Sequence, residues 1–364
     1  MKKVFTDKLV KVMNENELDA ILVSPSEELK FLAGFSPKPC LRFQGLFIKS
    51  DGNCFYLCNL LYEGEIISCL PGVKVYTWFD GDNMAEKISE ILKSEGLTGK
   101  KIGVNSSTLA FSLLDIAEAS SIKFVNAKPL MEEIRIIKTE AEIANLRAAA
   151  AINDEVFTEV IKFIRPGMKE AEIKSFLFSE MEKRGGVNTW AIVATGANSS
   201  FPHYGGDDGI VAEQDVLLLD FGCVYNNMCS DMSRTVFVGG ITDEQKKVFE
   251  ICRKATEAAQ AACFEGAYIP DIDKAARDVI TEAGYGKYFV NRVGHGIGYM
   301  IHEAPDIKAS NPRKLEKGMC FSIEPGINLT GKFGMRIENI VAITSTGAEA
   351  LNKSTHEIVV IKNS

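Results

Sequence analysis

Asp220, Asp231, His295, Glu324 and Glu338 follow one another across the second half of a 364-residue chain, each in a short segment rich in glycine or β-forming residues. Four carboxylates and one imidazole make a hard, oxygen-dominated ligand set, suited to two divalent cations held side by side. The four acids would carry a charge of about −4, which two such cations neutralise, offsetting the cost of clustering like charges. A cation pair lowers the pKa of a shared water towards neutrality and polarises a carbonyl, so the chemistry implied is hydrolysis.

The surrounding segments explain how these residues could meet. Asp220 and Asp231 lie in VLLLDFGCVYNNMCSDMSRTVFV, where β-rich arms flank Tyr225-Asn226-Asn227, and asparagine tolerates the left-handed backbone of tight hairpin turns. Their midpoint falls between Tyr225 and Asn226, which places the aspartates near-opposite on paired strands, about 4.5–8 Å apart. Glu324 and Glu338, in CFSIEPG and GMRIENIVAIT, repeat the arrangement about Gly331 in NLTGKFG. One such acid pair would read as a solvated hairpin face. Here Asp220 ends an apolar run and Glu324 follows Phe321 and Ile323, where an unpaired carboxylate needs a cation or a donor. His295 sits in VGHGIGYMIHEAP, whose glycines 294, 296 and 298 allow close backbone approach and disfavour a helix. His302 shares that segment and His203 precedes the first hairpin, whereas His356 reads as structural and Cys223 as a buried thiol.

Stepping outward, 364 residues suggest two domains. Residues 1–131 alternate signals for helix (Lys2–Asn16, Asn83–Ser94, Leu109–Ala119) and strand (Ala20–Ser24, Phe43–Lys49, Asn53–Cys58, Lys101–Val104, Ile122–Val125) and contain no histidine. Residues 132–364 open with a helix whose Thr139 and Glu142 have capping-box spacing, ended by Pro166-Gly167, and a second helix at Lys169–Arg184. Strands are expected at Trp190–Ala194, Val216–Gly222 and Met228–Val238, then helices at Asp243–Cys263 (capped by Thr242 with Gln245) and Asp271–Ala283. Further strands are expected at Gly318–Glu324, Met335–Thr344 and His356–Ile361, so the unit twice runs two helices into an acid-bearing antiparallel hairpin.

Composition narrows the partners. A net charge of −8 and a pI near 5.3 argue against nucleic acid. No apolar run spans a membrane and no secretory h-region follows the first residues. Nine cysteines, an odd number without C-x-x-C, read as thiols in a reducing cytoplasm.

These segments resemble the pita-bread metallopeptidases, which include methionine aminopeptidase, aminopeptidase P and prolidase. LDAILVSPSEELKFLAGF is similar to the start of the N-terminal domain of the proline-specific branch, and EEIRIIKTEAEIANLRAAAAI to the opening of its catalytic domain. LLLDFGCVYNNMCSDMSRT, GHGIGYMIHEAP, FSIEPGI and MRIEN match its metal-site motifs in order. The resemblance implies a creatinase/prolidase-like α/β domain over 1–131, and over 132–364 a pita-bread α+β catalytic domain with antiparallel sheet. It implies two divalent metal ions, with Asp220 terminal on one metal, Asp231 and Glu338 bridging, and His295 and Glu324 completing the second. Manganese suits the ligands, with cobalt, iron or zinc as substitutes. Glu324 would carry the proton from metal-activated hydroxide to the leaving amine, His302 would bond the carbonyl oxygen, and His203 would contact substrate near the leaving nitrogen. Arg336 would support the acidic ligands from behind.

Two departures bear on specificity. Asn291 stands where proline-specific members usually carry a substrate-holding histidine, and Asn339 follows Glu338 where an acid is common. The reading is thus a dinuclear metal exopeptidase, an Xaa-Pro dipeptidase or aminopeptidase, acting on peptides as a cytoplasmic homodimer. A metal-dependent hydrolase of a small amino-acid-derived amide, and a non-catalytic binding module on the same fold, are the alternatives.

Overall fold

The computed structural model describes residues 3–362, so Lys2 of the first expected helix lies outside the described residues. Contacts divide the chain into two units, Met1–Arg135 and Ile136–Ser364.

The first unit is a twisted mixed sheet with helices. Its elements are α1 (Lys3–Glu15), β1 (Ala20–Val23), α2 (Glu27–Ala33), β2 (Gly45–Lys49), β3 (Cys54–Asn59), α3 (Glu63–Cys69), β4 (Lys74–Trp78), α4 (Met84–Ser94), β5 (Lys101–Val104), α5 (Ala110–Ser120), β6 (Lys123–Asn126) and α6 (Lys128–Glu133). The strands order as β4-β3-β2-β1-β5-β6, with β1 to β3 antiparallel and the outer pairings parallel. The expected hairpin is β2–β3. Sequence periodicity misses α2, α3, β4 and α6, which are short and take their form from what they pack against.

The second unit opens with α7 (Glu140–Phe163) and α8 (Glu170–Lys183). Thr139 and Glu142 form the capping box on α7, each satisfying the other's backbone N–H at 2.7 and 3.3 Å. One sheet follows: β7 (Val187–Thr195), β8 (Asp215–Tyr225), β9 (Met228–Cys229) and β10 (Met232–Val238). Then come α9 (Asp243–Ala261), with the Thr242–Gln245 capping box, and α10 (Ile269–Glu282). The second sheet contains β11 (Gly294–Gly296), β12 (Glu303–Ile307) and β13 (Cys320–Ile323). Its chain continues through the hairpin β14 (Gly326–Leu329) and β15 (Phe333–Arg336), β16 (Asn339–Thr344) and β17 (Gly347–Ala350). A last strand, β18 (Val360–Ile361), returns to pair with β10. The orders are β18-β10-β8-β7 and β12-β11-β13-β16-β17; every pairing is antiparallel except β10–β18.

Two expected strands are broken and others are cut short, His356–Ile361 the most. Met228–Val238 is interrupted at Ser230-Asp231, Met335–Thr344 at Ile337-Glu338, and only Val360–Ile361 of His356–Ile361 is strand. The first two breaks fall at ligand-type acids, where the ladder yields and the backbone turns a carboxylate inward. Two apolar cores pack the helices onto these sheets, one joining α7 and α8 to β7, β8 and β10, the other joining α9 and α10 to β13–β16. Each sheet thus has a rigid backing, and its acids project into the space between.

Candidate metal centre

β8 is buried over nearly its whole length, and Asp220 is the one carboxylate in its centre. The turn at Asn226-Asn227, with φ of 47° and 64°, is a two-residue left-handed turn. It pairs Tyr225 with Met228 and so sets Asp220 opposite Ser233, not Asp231. This corrects the near-opposite placement: the expected midpoint was one residue too early. In this register Asp231 stands across from Gly222, diagonal to Asp220 and on the same face. Gly222 is obligatory here, because a Cβ would lie 2.0 Å from the Ser230 carbonyl oxygen.

The second acid pair is centred as expected. β13–β16 and β14–β15 share one register about Gly331, which brings Glu324 and Glu338 level across the hairpin. His295 sits on β11, and its neighbour Gly294 passes so close to β13 that a Cβ would meet the Ser322 carbonyl at 1.8 Å.

All five side chains border one cavity of about 810 Å³, together with His203, His302, Asn291, Arg336, Trp190 and Arg292. One ligand atom from each of Asp231, His295 and Glu338 falls within 4.8 Å of the others. His295 Nδ1 lies 3.1 Å from the Gly296 carbonyl, which can accept from that nitrogen and so turns Nε2 toward the acids. Nε2 faces Glu324 Oε1 at 3.1 Å and Asp231 Oδ2 at 3.6 Å. A lone pair against two carboxylates is repulsive unless a cation or a proton lies between them.

Two partners, Ser233 and Ser322, are not legible as site residues, whereas Arg336 is. Ser233 donates to Glu338 Oε2 at 2.6 Å and Ser322 to Glu324 Oε1 at 3.1 Å. Each serine is two residues from a ligand-type acid, and the two-residue period of a strand could have pointed to both. Arg336 donates through Nη2 to Asp220 Oδ2 and through Nε to Ser233 at 2.8 Å. Asp220 Oδ1, Asp231 Oδ1 and Glu338 Oε1 are buried with no hydrogen-bond partner among the described residues.

The electrostatics follow. Burial first, then Glu338, Asp220 and Glu324, pushes the Asp231 carboxyl well up; burial, then Glu324 and Asp220, does the same to Glu338. Burial raises Asp220 as well, against the pull of Arg336. Glu324 ends below its ordinary value: burial would raise it, but the hydrogen bond and charge of His295, then Arg336, outweigh that. Burial would lower Arg336, yet Asp220 and the other three acids hold it up. His302 stacks edge-on at 4.3 Å from His295; desolvation, then His295 and Arg292, bring it down to about 4, so it is neutral at pH 7. Buried acids held together with orphaned oxygens fit a pair of divalent cations, and their all-oxygen-and-nitrogen donor set fits hard metals.

Asn291 lines the cavity, its Nδ2 donating to the Glu324 carbonyl at 3.4 Å while Oδ1 is buried and has no hydrogen-bond partner among the described residues. Asn339 is buried away from the cavity, accepting from Arg234 at 2.8 Å and donating to His356 at 2.7 Å. Burial, then Arg234 and Arg253, lowers His356 to about 4, which keeps it a neutral acceptor. No disulfide joins any of the nine cysteines.

Fold and site define a metallohydrolase, and comparison with known proteins names the family. Residues 144–345 match metallopeptidase family M24 and residues 6–137 match the creatinase/prolidase N-terminal domain. The chain belongs to metallopeptidase family M24, in the branch that carries this N-terminal domain on a pita-bread catalytic domain. It is 33% identical to the Xaa-Pro dipeptidase of Lactobacillus delbrueckii subsp. lactis over 98% of each chain. The solved dipeptidase PepE of Mycobacterium ulcerans superposes with a TM-score of 0.91 at 31% identity, over 99% of this chain and 98% of that one. A recombinant prolidase of Thermococcus sibiricus gives 0.90 at 32%, again over 99% and 98%.

Proposed function

We propose that this chain is a metal-dependent exopeptidase that releases the N-terminal residue from Xaa-Pro substrates, dipeptides foremost. The observation that carries the reading is the convergence of Asp220, Asp231, His295, Glu324 and Glu338 on one cavity with buried carboxylate oxygens left over. The proline preference comes from the relatives, named Xaa-Pro dipeptidase and prolidase. Asp220 would bind one cation, Asp231 and Glu338 both, and His295 and Glu324 the other. When bound, such a pair supplies water activation and carbonyl polarisation. Manganese is the preferred metal for this donor set.

The chain's own groups do the rest. Glu324, its carboxyl below the ordinary value, can take a proton from the attacking water and deliver it to the departing amine. Neutral His302 offers a ring N–H to the carbonyl oxygen as charge builds there. His203, which also lines the cavity, would contact substrate near the leaving nitrogen. Arg336 orients Asp220 through their direct ion pair. Among the described residues no helix is long and apolar enough to cross a membrane. With its undisulfided thiols, this supports a cytoplasmic location. A homodimer is the proposed assembly, checked by light scattering.

The test is cleavage of Xaa-Pro dipeptides, Xaa-Pro tripeptides and non-prolyl controls by manganese-reconstituted protein. D231A and E338A should each lose both metal and activity, the latter by at least about 100-fold. Survival of activity in either variant would remove it from the ligand set. Asn291 supports the alternative of a small amino-acid-derived amide, since it offers a neutral acceptor where the resemblance expects histidine. Metal-loaded protein inert to every prolyl substrate would favour that alternative.

A further inference from the structure

Glu170, the first residue of α8, is completely buried although it is ionisable and lies outside the metal cavity. Its Oε1 accepts from the Thr195 backbone N–H at 2.7 Å, the Thr195 hydroxyl at 2.9 Å and Asn198 Nδ2 at 3.0 Å. Its Oε2 accepts from the Gly209 backbone N–H at 3.0 Å. Thr195 ends β7 and Gly209 lies further along the β7–β8 connection, so the two bracket the loop of residues 196–208. That loop carries Phe201-Pro202-His203-Tyr204, with His203 exposed at the cavity lip. The carboxylate thus draws both ends of the loop onto one point.

Further contacts carry the restraint to the tip. Asn198 also donates to the Tyr204 hydroxyl at 2.9 Å, so the residue beside His203 is tied back to Glu170 through one side chain. The Glu170 backbone N–H bonds Gly209 O, and Ala171 N–H bonds Asp207 O, both at 2.9 Å. On the far side Ser199 and Ser200 accept from Gly334 and Gly331 of the β14–β15 hairpin, at 2.8 and 3.2 Å. The loop has little apolar burial of its own near the tip, since Phe201, His203 and Gly205 are exposed. Hydrogen bonds must therefore fix it, and a buried carboxylate taking four of them is the strongest available anchor.

We infer that Glu170 is a positioning residue for His203, holding the His203 loop at the geometry that contacts substrate. The inference rests on the hydrolase reading of the cavity. The informative substitution is Glu170→Gln, which keeps shape and can keep the three bonds on one oxygen. Its amide then opposes the Gly209 N–H, donor against donor, and weakens the hold on that end of the loop alone.

The measurement is a double-mutant cycle of E170Q and H203A on the manganese-loaded enzyme, with metal content and melting temperature in parallel. E170Q should lower kcat/KM by about 10- to 100-fold, the scale of displacing a reacting group by ~1 Å, with full metal content. In the H203A background it should change the rate by less than about twofold, because the effect passes through His203. N198A, at a half-buried position, should repeat the pattern more weakly. Multiplying effects in the two backgrounds, or a wild-type rate in E170Q, would overturn the assignment. If wild-type protein cleaves nothing, the functional reading is what fails. Hydrogen exchange then decides the clamp: amides of residues 198–209 should exchange about tenfold faster in E170Q, and unchanged exchange rejects it.

Discussion

Asp231 and Glu338 have folded pKa values well above their ordinary ones, each because it is buried beside other acids. In metal-free protein the native state then binds more protons than the unfolded chain at any pH between the ordinary carboxylate pKa, about 4, and the raised values. Stability falls as pH rises through that window, the reverse of the usual acid lability of paired carboxylates. Cations cancel the repulsion and remove the slope. Metal-free wild-type protein should therefore lose denaturant midpoint from pH 5 to pH 8, and the metal-loaded form should not. E338Q, which deletes one charge at constant shape, should be more stable than wild type by about 1–4 kcal/mol when metal-free at pH 8, and less stable when loaded. A metal-free wild type as stable as E338Q at pH 8 would mean the acids are compensated in some other way.

At the scale of the element, the two hairpins present their acids differently, and one glycine keeps the first of them closed. Glu324 and Glu338 are level across a hairpin, whereas Asp220 and Asp231 are diagonal, with Gly222 filling the position across from Asp231. Gly222→Ala would place a methyl 2.0 Å from the Ser230 carbonyl and 2.8 Å from Trp190 Nε1, and the Ser230 carbonyl, joined directly to Asp231, cannot retreat without moving it. The variant should lose about 1–3 kcal/mol from overpacking and bind manganese about 10- to 100-fold more weakly by calorimetry. Normal affinity would show that the hairpin tolerates a shift the packing argues against. The hairpins also mark how far the pattern of residues could be read. Gly331 is the true centre of the second, so symmetry about it succeeded. The first turns at Asn226-Asn227, and only the positive-φ preference of paired asparagines, not the spacing of the acids, fixes that centre. Ser233 and Ser322 sit in ordinary strand alternation, and Glu170 looks like any first-turn acid of a helix. Their roles arise from contacts 105, 2 and up to 39 residues away in sequence; strand alternation with a ligand-type acid could flag the serines, whereas nothing local marks Glu170.

For the molecule as a whole, the candidate site lies in one unit. All five ligand-type residues, both cavity histidines and Glu170 belong to Ile136–Ser364, while Met1–Arg135 has its own core around β1–β6. Helix-and-strand alternation in the first unit and the motif order in the second are each local to their unit. The contact boundary after Arg135 falls four residues beyond the one expected. Ligand binding to the native state stabilises by mass action, about 2.7 kcal/mol at a hundredfold excess over Kd, and that energy enters the unit holding the ligands. For a unit of this size it corresponds to a rise in Tm of roughly 5–10 °C. Manganese should therefore raise one calorimetric transition and slow hydrogen exchange in β8, β10, β11, β13 and β16. Amides in β1–β6 should exchange at the same rate with manganese or with chelator. Equal protection of both units would instead mean that they unfold as one cooperative body, and the metal's free energy would then be shared along the whole chain.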